Sequence, residues 1–271
     1  MSEKLKVGIG GLGAIGLTLA RAIADGTLPD LTLGAVSARD AEKAKGNLAA
    51  IGAEAPIVPL ESLAETCDIV VECAPASVFE TIARPAIETG RIFVPVSIGA
   101  LLNHMDLVDR AKDTGARLVL PTGALIGLDA VRAAAEGEIE SVTLETRKPP
   151  LGLAGAPYLV ENDISVERLN EAKKVFEGNA REAAKGFPAN VNVAAALSLA
   201  GVGPERTSVE IWADPDVTRN THTIRVEADS ARFTMTIENI PTEENPKTGK
   251  ITALSVIATL RRLTAPLTAG T

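Results

Sequence analysis

Two histidines occur in the chain, and only His222 stands where a polar turn, Pro215 to Asn220, runs into an alternating strand. An imidazole held at the mouth of a sheet can take a proton from an ammonium group or from water and return it within one cycle. The same position also suits a plain strand-end histidine on the surface, and residue type alone leaves both readings open. Lys148, directly ahead of Pro149-Pro150, is a cation at the end of an earlier strand and suits either a carboxylate ligand or a structural ion pair. Arg147 would point to the opposite face if that strand persists. Asn190 and Asn192 flank the start of an Ala-rich helix, where side-chain amides either cap the helix or bind ligand. The other histidine, His104, is expected at a helix start on the surface.

A second kind of chemistry is written in glycine. Lys6 to Gly16 reads Lys-Val-Gly-Ile-Gly-Gly-Leu-Gly-Ala-Ile-Gly, and Gly11, Gly13 and Gly16 fit a G-x-G-x-x-G between a strand and a helix. A pyrophosphate needs backbone N–H groups close to its oxygens at a helix N-terminus, and a β-carbon at Gly11 or Gly13 would block its approach. Ala14 and Ile15 then open the helix beside it. Gly8, Gly10 and Gly13 match the pattern too, but that register puts the turn inside an apolar strand. The next strand ends at Val36, and Ser37, Arg39 and Asp40 follow where a site for NAD would usually place an acid. A hydroxyl and a guanidinium suit a 2′-phosphate, so the expected cofactor is NAD or NADP. Thr122-Gly123-Ala124 follows the last strand of this half, so backbone at Ala124 is expected to meet the nicotinamide, with Ser97 a weaker candidate.

The elements that must position these groups follow an alternating rhythm. Strands are expected at Leu5 to Ile9, Leu31 to Val36, Ile69 to Cys73, Ile92 to Val96 and Arg117 to Leu120, with helices between them. One of those helices is placed at about Asn103 to Asp113. Beyond residue 120 the rhythm changes to antiparallel-looking strands at Val142 to Thr146, Val209 to Ala213, Thr223 to Ala228 and Arg232 to Glu238, the last two joined by a turn at Ala228 to Ala231. Helical spacing is read at Val166 to Phe176, Val191 to Leu199 and Ile251 to Leu263, around a polar loop at 240–250. The expectation is an α/β chain: a Rossmann-type parallel sheet over 1–122, joined by the helix of 251–268, and a smaller α+β domain over 123–250.

Composition narrows the partners. A net charge of -8 disfavours nucleic acid, whose phosphates demand clustered Lys and Arg. No apolar run approaches a membrane span, and the polar Ser2-Glu3-Lys4 start leaves no room for a secretion signal, so a cytoplasmic protein is expected. Cys67 and Cys73 lack the companions of a zinc site and are expected in the core, with no metal.

Five segments occur in order: Gly11-Leu12-Gly13-Ala14-Ile15-Gly16, Pro121 to Gly127, Thr146 to Pro150, Phe187 to Val193, and Ala213-Asp214-Pro215 through Asn220-Thr221-His222. On these the chain resembles the L-aspartate dehydrogenase family across nearly its whole length, with a homoserine-dehydrogenase-like nucleotide-binding half. The resemblance implies oxidation of L-aspartate to iminoaspartate, and so to oxaloacetate and ammonia, with reduction of NAD or NADP. It also implies a homodimer and a product feeding NAD biosynthesis through quinolinate. Carried over by position, the active-site histidine falls on His222 and cofactor contacts fall on Ala124 and Asn190, while Lys148 and Asn192 are candidates for binding the dicarboxylate. Two other readings compete: a dehydrogenase or reductase of another small amino acid or imine, and a dinucleotide-binding redox sensor without turnover.

Overall fold

The computed structural model describes residues 4–188, 191–242 and 249–270. The chain divides into two compact units, one formed by Met1–Pro121 with Thr252–Thr268 and the other by Thr122–Ile251 with Ala269–Thr271.

In the first unit β1 (Leu5–Gly10), α1 (Ala14–Ala24), β2 (Leu31–Ser37), α2 (Ala41–Ala50), α3 (Leu63–Thr66), β3 (Ile69–Glu72) and α4 (Phe79–Glu88) alternate. They continue into β4 (Ile92–Pro95), α5 (Ile98–Leu101), α6 (Asp106–Thr114) and β5 (Arg117–Leu118). The five strands are all parallel, in the order β2-β1-β3-β4-β5. Strands covered on both faces read as continuous apolar runs, and Ile69, Val70 and Val71 are fully buried. Strand order reverses between β1 and β3, and at such a switch point the loops beyond the carboxyl ends diverge and leave a crevice for ligand. The glycine turn follows β1 there. Val256 and Leu260, on α11 (Lys250–Thr264), are fully buried in the same core as Val7, Ile9 and Leu19, so the late helix completes the first unit.

α6 begins at Asp106, three residues later than expected, because His104 and Met105 form the turn before it. His104 is half-buried, its ring stacked on Phe79 at 5.6 Å between centroids. Cys67 is buried and Cys73 half-buried.

The second unit contains α7 (Leu128–Ala135), β6 (Ile139–Lys148), α8 (Pro157–Glu161), β7 (Lys173–Asn179), α9 (Ala180–Gly186) and α10 (Asn192–Ala200). Then come β8 (Thr207–Ala213), β9 (Asn220–Ala228) and β10 (Arg232–Asn239). Their sheet runs β10-β9-β6-β8-β7. The β9–β10 hairpin closes as expected, the Ala228 N–H donating to the Ala231 carbonyl at 3.0 Å. Two expectations are corrected. The sheet is mixed, because β6 and β8 pair in parallel while the other three pairs are antiparallel. Residues 166–176 are not a helix: they lead into edge strand β7. A register shift between Lys174 and Phe176 buries Val175 and Phe176 in succession, and this erases the alternation that marks a strand. Phe176 then packs edge-on against Tyr158 and Phe187, tying α8 and the end of α9 to β7.

Candidate active site

In the first unit Gly11 has φ +102°, and a β-carbon there would lie 2.6 Å from the Cys73 carbonyl oxygen. Both facts demand glycine. A β-carbon at Gly16 would collide with the Gly11 carbonyl, so the third glycine lets α1 close on the turn. Gly13 differs: it caps α1 at φ -82°, and a β-carbon would meet no protein atom within 4 Å. Nothing in the described protein explains a glycine there, whereas an approaching pyrophosphate does. The first turn of α1 carries no acidic residue and its cap makes no side-chain hydrogen bond, which leaves its N–H groups, at Ala14 and Ile15 among others, suited to an anion. The turn thus fits a dinucleotide.

Around it, the Gly11 N–H donates to the Ser37 carbonyl at 2.8 Å, anchoring the turn on the end of β2. Ser37 is buried, Arg39 is exposed, and Asp40 caps α2 by accepting from the Lys43 N–H at 3.0 Å. Sequence reasoning missed Glu72. Fully buried at the end of β3, it accepts from the N–H groups of Ala74 (2.9 Å), Val96 (3.2 Å) and Ser97 (2.8 Å) and from the Ser97 hydroxyl (3.1 Å). Burial pushes its carboxyl above the usual range, against the pull of those donors. The side chain thereby fixes the loops after β3 and β4 to one another, and Ser97 serves that latch. A lone acid in an apolar strand, Ile69-Val70-Val71-Glu72, was the available signal.

In the second unit the pairing of β6 with β9 sets Thr146 opposite His222, and that of β9 with β10 sets His222 opposite Ile237. Two residues along each strand, on the same face, stand Lys148, Asn220 and Asn239. Thr146, Lys148, His222 and Asn239 are all buried, and Thr146 Oγ1 lies 3.0 Å from His222 Nδ1. Arg147 takes the opposite face as expected. There it donates to Glu145 at 2.6 Å and Asp214 at 2.9 Å, with its guanidinium 4.7 Å from the centre of the Trp212 ring.

Burial pushes the Lys148 amine down to about 8. Burial, followed by the positive charge of Lys148, pushes the His222 imidazole down to about 3. In the ligand-free protein His222 is therefore neutral throughout the physiological range, because its site has little water to solvate a cation and a cation already stands nearby.

A cavity of about 510 Å³ opens beside this row, a volume suited to a small metabolite. Lys148 and the segment to Pro157 form one wall, with Phe187 and Pro188, Thr218 to Asn220, and Asn239 around it. His222, buried and two residues from Asn220 on the same strand face, does not itself line the cavity. Arg219 is exposed at the rim and was missed, although it lies inside the quoted segment that ends in His222. Asn239 was also missed; its amide nitrogen donates to the Ala124 carbonyl at 3.1 Å. Ala124 sits in a turn closed by the Leu125 N–H to the Thr122 carbonyl at 3.1 Å, with Gly123 at φ +63°. Asn192 is the exposed first residue of α10, whose cap position is Val191, so the capping reading of Asn192 does not hold. Asn190 lies outside the described residues.

Both halves of the chain match known families. Residues 11–121 match the model described as homoserine dehydrogenase, NAD binding domain, and residues 129–263 match aspartate dehydrogenase, C-terminal. The chain is 58% identical over 270 residues to an L-aspartate dehydrogenase of Bradyrhizobium diazoefficiens, covering 100% of this chain and 95% of that protein. It is 51% identical to L-aspartate dehydrogenase 3 of Bordetella bronchiseptica, over 99% of this chain and 98% of that one. The crystal structure of aspartate dehydrogenase from Thermotoga maritima superposes with a TM-score of 0.74 at 26% identity, covering 98% of this chain and 99% of that one. With the glycine turn in one unit, the Lys148 and His222 row in the other, and relatives this similar along the full length, the chain belongs to the L-aspartate dehydrogenase family.

Proposed function

We propose that this chain oxidises L-aspartate to iminoaspartate with NAD or NADP as acceptor, the imine then hydrolysing to oxaloacetate and ammonia. The observation that carries this reading is the buried Lys148 at the wall of a metabolite-sized cavity, with the buried His222 on the same face of the neighbouring strand. A cation held dry there is suited to a carboxylate. Arg219 at the rim offers a second positive charge, as a dicarboxylate requires.

Gly11, Gly13, Ala14 and Ile15 would hold the cofactor's pyrophosphate, Ser37 and Arg39 its adenosine ribose with or without a 2′-phosphate, and Ala124 and Asn190 its nicotinamide end. When bound, the oxidised nicotinamide supplies the hydride acceptor. His222 takes the proton that the substrate ammonium must lose before its lone pair can form the imine. This requires the tautomer in which Nδ1–H donates to Thr146 Oγ1, 3.0 Å away, and Nε2 is left as an acceptor. A substrate carboxylate on Lys148 offsets the positive charge that disfavours the imidazolium, so substrate binding raises the proton affinity of His222. Asn192 remains a candidate substrate contact.

The second unit is thus the substrate and catalytic domain, and the first the dinucleotide domain. No helix among the described residues is long and apolar enough to cross a membrane, and we place the protein in the cytoplasm. A homodimer is the assembly the family likeness favours; Arg225, Thr234 and Thr236 leave the outer face of the second sheet exposed for it. The product would feed NAD biosynthesis through quinolinate. The test is a panel of L-amino acids with each cofactor, followed by reduced-nicotinamide absorbance. L-aspartate should give the highest kcat/KM; cofactor binding without turnover of any amino acid would replace the enzyme with a redox sensor.

A further inference from the structure

Asn239 ends β10 at 5% exposure, and its Oδ1 is a buried acceptor with no hydrogen-bond partner among the described residues. Its orientation is fixed by chemistry. The Ala124 carbonyl can only accept, so the amide nitrogen must face it, and a flip would bring two oxygens together. Orphaned acceptors of this kind are uncommon in folded proteins and call for a reason. Asn239 lines the cavity together with Lys148 and Asn220. Gly249 packs beside the orphaned oxygen, and a β-carbon there would crowd it at 3.1 Å.

We propose that Asn239 Oδ1 accepts an N–H from the α-nitrogen of the bound amino acid and keeps it as the amine becomes the imine. This rests on the oxidation of L-aspartate proposed above. The nitrogen carries an N–H as ammonium, as amine and as imine, so one acceptor serves all three. In the chemical step the Cα–H bond breaks, its electron pair passing as hydride to the oxidised nicotinamide, while the nitrogen lone pair becomes the second bond of C=N. The ammonium proton has already gone to His222. Positive charge grows on nitrogen as hydride departs, its N–H becomes a stronger donor, and the contact with Oδ1 tightens in the transition state. Oδ1 therefore binds the amine and also lowers the barrier. A nicotinamide carboxamide is another source of an N–H donor, and the experiment separates the two.

The experiment compares binding of L-aspartate and of succinate, which lacks only the amino group, to the NADH-loaded wild type, Asn239→Ala and Asn239→Asp, alongside kcat for L-aspartate. The wild type should prefer L-aspartate; Asn239→Ala should lose that preference and lose kcat on the order of a hundredfold, each measured with the cofactor saturating. Asn239→Asp keeps an oxygen acceptor but loses the donor to Ala124, and its carboxylate attracts the ammonium of L-aspartate and repels succinate, so the preference should be kept or widened in it. Equal preference in wild type and Asn239→Ala overturns the proposal. So does loss of preference in both variants, which would make Asn239 only a tether for Ala124. The proposal also fails if Asn239→Ala weakens NADH and abolishes a wild-type preference for NAD over its 3-acetylpyridine analogue, since the acceptor would then serve the carboxamide. A wild type that turns over no L-aspartate removes the reaction itself, a result visible without either variant.

Discussion

As the carboxylate ligand proposed above, Lys148 would bind with a strength that depends on pH. At about 1.36 kcal/mol per pH unit, the depression of its amine from 10.5 to about 8 means that charging it in the ligand-free protein costs about 3.4 kcal/mol. A carboxylate laid against the ammonium favours the charged form, and a complex that restores the ordinary 10.5 recovers that whole amount. Ligand then selects protonated protein. Affinity is full below pH 8 and falls about tenfold per pH unit as pH rises from about 8 towards 10.5, about 300-fold in all. Succinate is the right probe, because it has two carboxylates and no amine to titrate in this range. Calorimetric titration of the cofactor-loaded protein should give a constant Kd from pH 6.5 to 7.5 and a Kd about 30-fold weaker at pH 9.5. Lys148→Met should bind succinate on the order of a hundredfold more weakly, with a flat profile. A flat wild-type profile up to pH 9.5, or a Lys148→Met variant of unchanged affinity, would refute the carboxylate role.

Three further substitutions test the other groups. Gly13→Val should leave a folded protein with NAD(H) affinity down on the order of a hundredfold, as two lost bonds to a charged phosphate imply; unchanged cofactor titration would remove the glycine turn from the site. Arg39→Ala should weaken NADP(H) about tenfold and leave NAD(H) unchanged, the modest figure reflecting an exposed guanidinium; equal losses would make Arg39 a loop charge. His222→Ala should bind cofactor normally and lose kcat about 100- to 10,000-fold, whereas a near-normal kcat with raised KM would make His222 a binding residue.

The first unit was legible because its signals are local. A fully apolar Ile69-Val70-Val71 marks a strand covered on both faces, and the glycine turn is a strand–turn–helix readable within eleven residues. The second sheet was legible only where alternation survived, as in β9 and β10. In β7 the bulge at Lys174 removed it, and the parallel pairing of β6 with β8 joins residues some sixty positions apart with no short-range signature. The site shows the same division. Residue types announced His222 and Lys148, but the proton affinity of His222 depends on burial and on a cation carried by a neighbouring strand, neither of which is written around residue 222. Asn239 was invisible for the same reason: it is an ordinary strand-end asparagine until the fold sets Ala124 against its nitrogen and nothing among the described residues against its oxygen.

Completing the first unit with α11 has a consequence for synthesis. Its five strands are all made once Leu118 has been added, yet Val256 and Leu260, which fill the core beside Val7 and Ile9, come after the whole of 122–251. At about 5–20 residues per second, the intervening stretch of about 130 residues takes the ribosome roughly 7–26 s. For that interval the nascent dinucleotide domain carries a sheet with part of its apolar surface uncovered. A stop codon near residue 250 would make that transient state permanent.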